Sequence, residues 1–101
     1  MLLEREREQL AATGRRLAEQ GLVFGAAGNV SVRAGDRVAI SAARAALATL
    51  EPAQTVVVDM DGELVDGELP PSSELHLHLG VYRRFGAGAI AHTHSLSATA
   101  L

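Results

Sequence analysis

Two histidines separated by one residue stand near the end of the chain, in the run Ala91-His92-Thr93-His94-Ser95. The small apolar residues 87–91 that lead into them predict a buried strand. Because strand side chains alternate between two faces, His92 and His94 should point the same way, roughly 6–7 Å apart at the backbone. Convergent imidazoles are typical ligands of zinc, whose catalytic sites use three protein ligands and one open position. Considered alone, the two residues could equally be core or surface histidines.

Glu74 supplies a carboxylate eighteen residues before His92, at the end of the run Pro70-Pro71-Ser72-Ser73-Glu74. The two prolines stop the preceding element, and a serine can cap a new helix, which we predict over 73–84. Glu74 is then expected in the first helical turn, beside two hydroxyls and the free N–H groups of the helix start. Such a start binds anions, so the segment predicts an anion site with a carboxylate next to it.

The other two histidines lie on the same predicted helix. His76 and His78 are two residues apart, so they face different directions and cannot chelate as a pair. Glu74 and His78 are four apart and share a face, which allows either a metal site or, more commonly, a helix contact.

The composition narrows the class of protein. With 101 residues, 48% hydrophobic and 21% charged, the chain is expected to form one globular unit. A net charge of −3, no basic run and 3% aromatic residues argue against a nucleic-acid partner. No window approaches the ~18 apolar residues of a membrane span, and the charged N-terminus is unlike a signal peptide. Together with the lack of cysteine, this is consistent with a cytoplasmic protein.

Hydrophobic periodicity predicts alternating helices and strands. The first helix, over 3–20, is amphipathic, and its charged residues 4–8, Arg7 among them, are expected on the faces away from its apolar stripe. The other predicted elements are a hairpin of strands 30–33 and 37–40, a weak helix over 41–49, a strand over 55–59 buried on both faces, a turn at Asp61-Gly62, and a last helix beginning near Ser97.

The small-residue loop before the hairpin ends in Gly28-Asn29. This pair could be a turn with a positive φ angle, which is the commoner outcome. It could also be a place where backbone and an amide approach a ligand closely.

Three ordered motifs carry a family resemblance: Gly28-Asn29-Val30-Ser31-x-Arg33, Pro71-Ser72-Ser73-Glu74-x3-His78 and His92-Thr93-His94-Ser95. In this order they resemble the class II aldolase/adducin family, over a region from about Leu10 to the last residue. The resemblance implies an α/β fold, an α/β/α sandwich around a largely antiparallel sheet. It also implies a homotetramer and a bound zinc ion.

Site roles follow from the same resemblance. His92 and His94 correspond to zinc ligands, and Glu74 to the acid/base carboxylate, which can also touch the metal. His78 corresponds to a common helix position, which favours a structural role. The positions implied to bind the substrate phosphate are Gly28, Asn29, Ser72 and Ser73.

The sequence departs from the family pattern in two places. A Thr/Ser-Pro-x-Gly segment that completes the phosphate pocket is replaced by Ser41-Ala42-Ala43-Arg44. An arginine is not expected to replace a close-approach glycine without moving the loop. Either the phosphate site is weaker, or Arg44 compensates with its charge, or the substrate lacks a phosphate. Family members are also about twice this long, so residues 1–101 are expected to be the N-terminal part of a single domain, without the third histidine ligand.

The resemblance therefore implies a zinc-dependent lyase that cleaves a small sugar phosphate by a retro-aldol reaction, with this chain by itself weak or inactive. Glutamate at position 74 favours an aldolase over an epimerase, which tends to carry aspartate there. The alternatives are an adducin-like interaction module without catalysis and a 4-epimerase or dehydratase of the same family.

Overall fold

Five strands and two α-helices alternate along residues 1–93, the part of the chain that the computed structural model describes. The elements are α1 (Glu4–Glu19), β1 (Asn29–Ala34), β2 (Arg37–Ser41), β3 (Thr55–Asp59), β4 (Leu64–Asp66), α2 (Leu75–Arg84) and β5 (Ala89–His92), with short 3₁₀ turns at Leu47–Thr49 and Pro52–Gln54. The strands form one sheet in the order β4-β3-β2-β1-β5, and every neighbouring pair is antiparallel. The predicted hairpin at 30–40 and the turn at Asp61-Gly62 are both confirmed.

Each face of the sheet is covered by one helix. The face under α1 is lined by Val30, Ala39 and Val57, which pack on Leu10 and Ala11. The opposite face packs on α2 and is formed by residues of β2 and β3 one position away, Val38, Ile40, Val56 and Val58. Since successive strand residues point to opposite faces, a continuous run of valines fills both layers. The α/β/α sandwich around an antiparallel sheet is therefore confirmed.

Arg7 lies in the core side of α1, so its predicted place on a solvated face is wrong. It is 2% exposed. Its Nε donates to Thr55 Oγ1 at 3.1 Å, and its two Nη groups donate to the Thr55 carbonyl and to Asp66 Oδ2, each at 3.0 Å. A buried guanidinium needs such partners for its five N–H groups, and the ends of β3 and β4 provide them.

The weak helix predicted over 41–49 is also wrong. Only Leu47–Thr49 forms a 3₁₀ turn, and the preceding residues are extended or turn-like. The amide of Ala43 donates to the carbonyl of Pro70 at 2.9 Å, and Ala42 forms a bridge with Pro71. These contacts with the segment before α2 use the backbone groups that a helix would need.

The strand before the histidines is an edge strand and not the buried strand that its composition predicts. Residues of β5 alternate between exposed and half-buried. Within residues 1–93, β5 pairs with β1 and with no other strand. An apolar run indicates burial only where helices cover the strand, and α1 and α2 pack chiefly on β1, β2 and β3. His94 and the helix predicted near Ser97 lie outside the described residues.

None of the helices within residues 1–93 has the length and apolar content to span a membrane.

Candidate active site

Gly28 closes the loop before β1 in a conformation that a larger residue would not tolerate. Its φ is +92°, and a Cβ added there would lie 2.8 Å from Val23 Cγ1 and 3.1 Å from the carbonyl oxygen of His92. A residue with a side chain would be strained at this φ and would clash with the valine. The glycine therefore lets the loop approach β5 closely. Its positive φ agrees with the turn interpretation of Gly28-Asn29.

The sheet register places two of the predicted site residues side by side. Asn29 at the start of β1 is directly opposite His92 at the end of β5. Residues in direct register project to the same face, which here is the face covered by α2. The Glu74 carboxylate at the N-terminus of α2 meets this pair, because its Oε2 contacts Nδ1 of His92. Glu74 precedes the first helical residue, Leu75, as the N-cap residue, one position earlier than predicted.

The segment before α2 is held by its own hydrogen bonds. Ser72 is buried, its amide donates to the carbonyl of Ser41 at 3.1 Å, and its Oγ accepts from the amide of Glu74 at 3.2 Å. The amide of Leu75 donates to the Ser72 carbonyl at 3.1 Å. These amides are already used, so the helix start offers fewer free N–H groups than predicted.

A pocket of about 180 Å³ lies in front of these residues. Its lining includes the four positions implied to bind the substrate phosphate, the candidate Arg44 and the acid/base candidate: Gly28, Asn29, Ser72, Ser73, Arg44 and Glu74. The segments that contribute them are as far as 46 positions apart in the sequence, from Gly28 to Glu74. The fold therefore gathers the separate motifs around one small cavity.

Arg44, at the position of the glycine in the family pattern, has a left-handed backbone conformation. Its φ is +63°, and it lines the pocket. A non-glycine residue in this region costs about 1–2 kcal/mol. The loop of this chain therefore holds a non-glycine residue at a positive φ, and whether it has moved relative to a glycine-bearing loop stays a prediction. The result is a guanidinium-bearing residue at the wall of a pocket.

His78 is fully buried behind Asn29. Its Nε2 contacts Asn29 Oδ1, and its Nδ1 lies 2.6 Å from Ser31 Oγ, which is 2.7 Å from the hydroxyl of Tyr82. The pKa of His78 is lowered to about 4, mainly by burial and also by the charge of His92, while the charge of Glu74 opposes the shift. Both ring nitrogens are engaged away from Glu74, so the structural interpretation of His78 holds over chelation with Glu74.

The sequence analysis did not identify Ser31 and Tyr82 as parts of the site. A signal was present for each: Ser31 is two residues after Asn29 on a strand, and Tyr82 is four after His78 on a helix. Both therefore share a face with a candidate residue.

Glu74 and His92 are by type suitable zinc ligands, a carboxylate and an imidazole. Residues 1–93 contain no cluster of three or more such donors, and His94 lies outside them. Within the described residues, the donor set that fits zinc therefore consists of these two converging side chains.

Comparison with known proteins identifies relatives that are named as aldolases. A 5-deoxy-D-ribulose 1-phosphate aldolase of Bacillus thuringiensis serovar kurstaki is 42% identical over 98 residues, which are 94% of this chain and 46% of that protein. An L-fuculose phosphate aldolase of Methanocaldococcus jannaschii is 37% identical over 97 residues, 95% of this chain and 52% of that protein. The chain thus spans about half the length of the curated relatives it matches.

Solved structures give the same result. An L-fuculose 1-phosphate aldolase matches with a TM-score of 0.88 at 33% identity, over 96% of this chain and 47% of that one. The L-fuculose-1-phosphate aldolase from Thermus thermophilus matches with a TM-score of 0.79 at 34% identity, over 96% and 48%. Residues 8–101 match the model of the class II aldolase and adducin N-terminal domain. The chain therefore belongs to the class II aldolase and adducin family.

Proposed function

We propose that this chain contributes the phosphate-binding and proton-transfer side of an active site for retro-aldol cleavage of a small sugar phosphate. The observation that carries the proposal is that Glu74 lines the pocket together with Asn29 and Arg44 and also contacts His92. Two relatives named as sugar-phosphate aldolases support the same reaction class.

The phosphate would bind among side chains of complementary chemistry. Arg44 supplies a permanent positive charge, and the hydroxyls of Ser72 and Ser73 and the amide of Asn29 supply neutral donors. Gly28 lets the backbone approach without a side chain in the way. Holding the phosphate fixes the rest of the substrate relative to Glu74, which lowers the entropic part of the barrier.

Glu74 is the residue that we assign to proton transfer. A carboxylate can accept the proton of the substrate hydroxyl as the carbon–carbon bond breaks and return a proton to the carbanion that remains. His92, together with His94, would hold a zinc ion, as would Glu74 where it reaches the metal. The bound ion would supply Lewis-acid stabilisation of the negative charge that develops on the substrate oxygens.

We also propose that residues 1–101 are the N-terminal part of one class II aldolase-like domain and that the whole protein is a cytoplasmic homotetramer. The half-length match to relatives supports the first part. Exposed apolar side chains, including Phe24, Leu77 and Phe85, support association with other polypeptide surfaces.

The alternative of an adducin-like interaction module has one specific observation in its favour. Arg44 replaces the glycine of the family's phosphate loop. The same observation would suit a substrate without a phosphate, so binding and cleavage must be measured separately.

The test compares wild type, Glu74→Gln and the control Glu8→Gln, an exposed glutamate on α1. Each variant is made in the full-length protein and assayed for zinc content and for cleavage of ketose 1-phosphates. We expect Glu74→Gln to keep the fold and most of the zinc and to lose about 10²–10⁴-fold in turnover. Wild-type turnover in Glu74→Gln would contradict the acid/base assignment. Zinc binding by wild type without cleavage of any ketose phosphate would favour the interaction module or an unphosphorylated substrate.

A further inference from the structure

A chain of buried polar groups runs behind the pocket and ends on Asn29. It begins at the Tyr82 hydroxyl, passes through Ser31 Oγ and the His78 ring, and reaches Asn29 Oδ1. All four residues are less than a tenth exposed. Buried groups of this kind must satisfy one another, so the direction of one hydrogen bond determines the next.

The direction of the chain follows from Tyr82. Among residues 1–93 its hydroxyl has one hydrogen-bond partner, Ser31 Oγ at 2.7 Å. If Tyr82 donates to Ser31, the hydroxyl hydrogen of Ser31 needs another acceptor, and among residues 1–93 that acceptor is Nδ1 of His78, at 2.6 Å. A neutral ring with an acceptor at Nδ1 carries its proton on Nε2, and that proton is donated to Asn29 Oδ1.

The opposite direction leaves a group unsatisfied. Tyr82 would then accept from Ser31, and its own hydroxyl hydrogen would have no acceptor within residues 1–93. A buried unmade hydrogen bond is costly. The opposite direction would also require Asn29 to donate to His78 and to turn its carbonyl oxygen toward an anion.

We infer that His78 is a positioning residue that holds the Asn29 side-chain amide with its NH₂ group toward the pocket, where it donates to the substrate phosphate. This inference rests on the proposed phosphate site and adds to it the groups that orient one of its donors. The carbonyl end of the amide is occupied by His78, and Asn29 also lines the pocket. A buried imidazole with a pKa of about 4 is neutral at pH 7, which agrees with a single ring proton.

The first measurement is the protonation state of the His78 ring by ¹⁵N NMR, in protein with its natural ends. The ¹⁵N shifts distinguish a protonated from an unprotonated ring nitrogen. We expect the proton on Nε2, which needs no ligand to be observed. A proton on Nδ1 would mean that the hydrogen bonds between Tyr82 and Asn29 run in the opposite direction, and it would overturn the inference.

The second measurement is the affinity for inorganic phosphate, with unfolding by urea followed in parallel so that only folded protein is compared. His78→Phe removes the donor while filling a similar space, and we expect about ten- to a hundredfold weaker phosphate binding, as for loss of one hydrogen bond to a charged group. His78→Gln can still donate to Asn29 and should recover most of the affinity. Tyr82→Phe removes only the far end of the chain and should lose less than His78→Phe.

The outcomes separate this inference from the proposed function. Wild-type affinity in folded His78→Phe, or equal losses in His78→Phe and His78→Gln, would overturn the positioning role and leave the proposed function standing. If wild type binds no phosphate, the proposed phosphate site fails and the donation by Asn29 to phosphate fails with it, whereas the ring protonation state still tests the orientation of the Asn29 amide. In a cleavage assay, a positioning role should raise KM for a sugar phosphate more than it lowers kcat.

Discussion

Two buried polar networks join the helices to the sheet, and they end differently. The Arg7 network closes on itself, because the N–H groups of the guanidinium are all used by Leu2, Thr55 and Asp66. Arg7 and Asp66 also line a separate cavity of about 380 Å³, but no donor of the guanidinium is left for a ligand there. The His78 network ends on Asn29, which lines the pocket. A network that uses all its donors internally can only stabilise the fold. A network whose last amide borders a cavity can also prepare a binding site.

The largest effect is expected on stability, when a substitution of Arg7 removes the closed network. Arg7→Met should lower the free energy of unfolding by about 2–4 kcal/mol, because the Thr55 hydroxyl and carbonyl lose buried donors. Phosphate affinity of the folded protein should not change, since the network does not reach the pocket. Urea unfolding and phosphate titration of the same samples measure both quantities. The exposed neighbour variant Arg5→Met is the control, and a parallel loss of phosphate affinity would contradict the separation of the two networks.

The next effect is a pH dependence of stability that comes from His78. Because the folded pKa of His78, about 4, lies below its ordinary value of 6.5, the unfolded state takes up the proton first. The stabilisation is fully present above pH 6.5 and is lost as the pH falls toward 4, by up to about 3 kcal/mol. His78→Gln should lack this component, whereas Glu74 and His92, which act on the ring, remain in both proteins. Unfolding free energies at several pH values test this, and parallel curves would contradict it.

A smaller effect concerns Arg44, where stability and binding should move in opposite directions. Arg44→Gly should raise the free energy of unfolding by about 1 kcal/mol, because glycine adopts a φ of +63° without strain. The same variant should bind phosphate about tenfold or more weakly, through loss of a charged donor. Arg44→Lys keeps both the charge and the strain and is the matched control. An Arg44→Gly protein with unchanged affinity would remove Arg44 from the proposed site.

The smallest effect is expected at the exposed end of the Arg7 network. The backbone N–H of Leu2 lowers the pKa of Asp66 below its ordinary value of 3.8, burial opposes this, and Arg7 lowers it further. A lowered carboxyl pKa stabilises the fold above pH 3.8, and this part is lost as the pH falls below it. The Asp66 side chain is 39% exposed, so solvent screens the pair and the effect is slight. In Asp66→Asn, the melting temperature should fall less steeply with decreasing pH below about pH 4 than it does in wild type. If Asp66→Asn lowered the free energy of unfolding more than Arg7→Met does, the order of these expected effects would be wrong.

Local pattern was sufficient for much of the fold. The valines of 55–59 predicted a strand buried on both faces, and Asp61-Gly62 predicted the turn that follows it; both are observed. The ordered motifs identified the family, and they named the residues that line the pocket. Patterns of this kind succeed because strand alternation and turn geometry are properties of a few neighbouring residues.

Four features were decided by the tertiary structure. The sequence pattern predicted Arg7 on a solvated helix face, but in the structure it is buried and donates hydrogen bonds to Thr55, 48 positions away. The alanines after Ser41 looked helical until the segment before α2 bonded to their backbone. The apolar run before His92 predicted a buried strand, but within residues 1–93 β5 lies at the edge of the sheet.

The fourth feature is the role of His78. The sequence predicted His78 on a helix and favoured a structural role for it, but its two partners, Ser31 and Asn29, are 47 and 49 positions away. Which ring nitrogen meets which partner depends on how α2 is placed over the start of β1. The proton positions, and with them the orientation of the Asn29 amide, follow from that packing, because buried donors and acceptors must be satisfied by whichever groups the fold brings into reach.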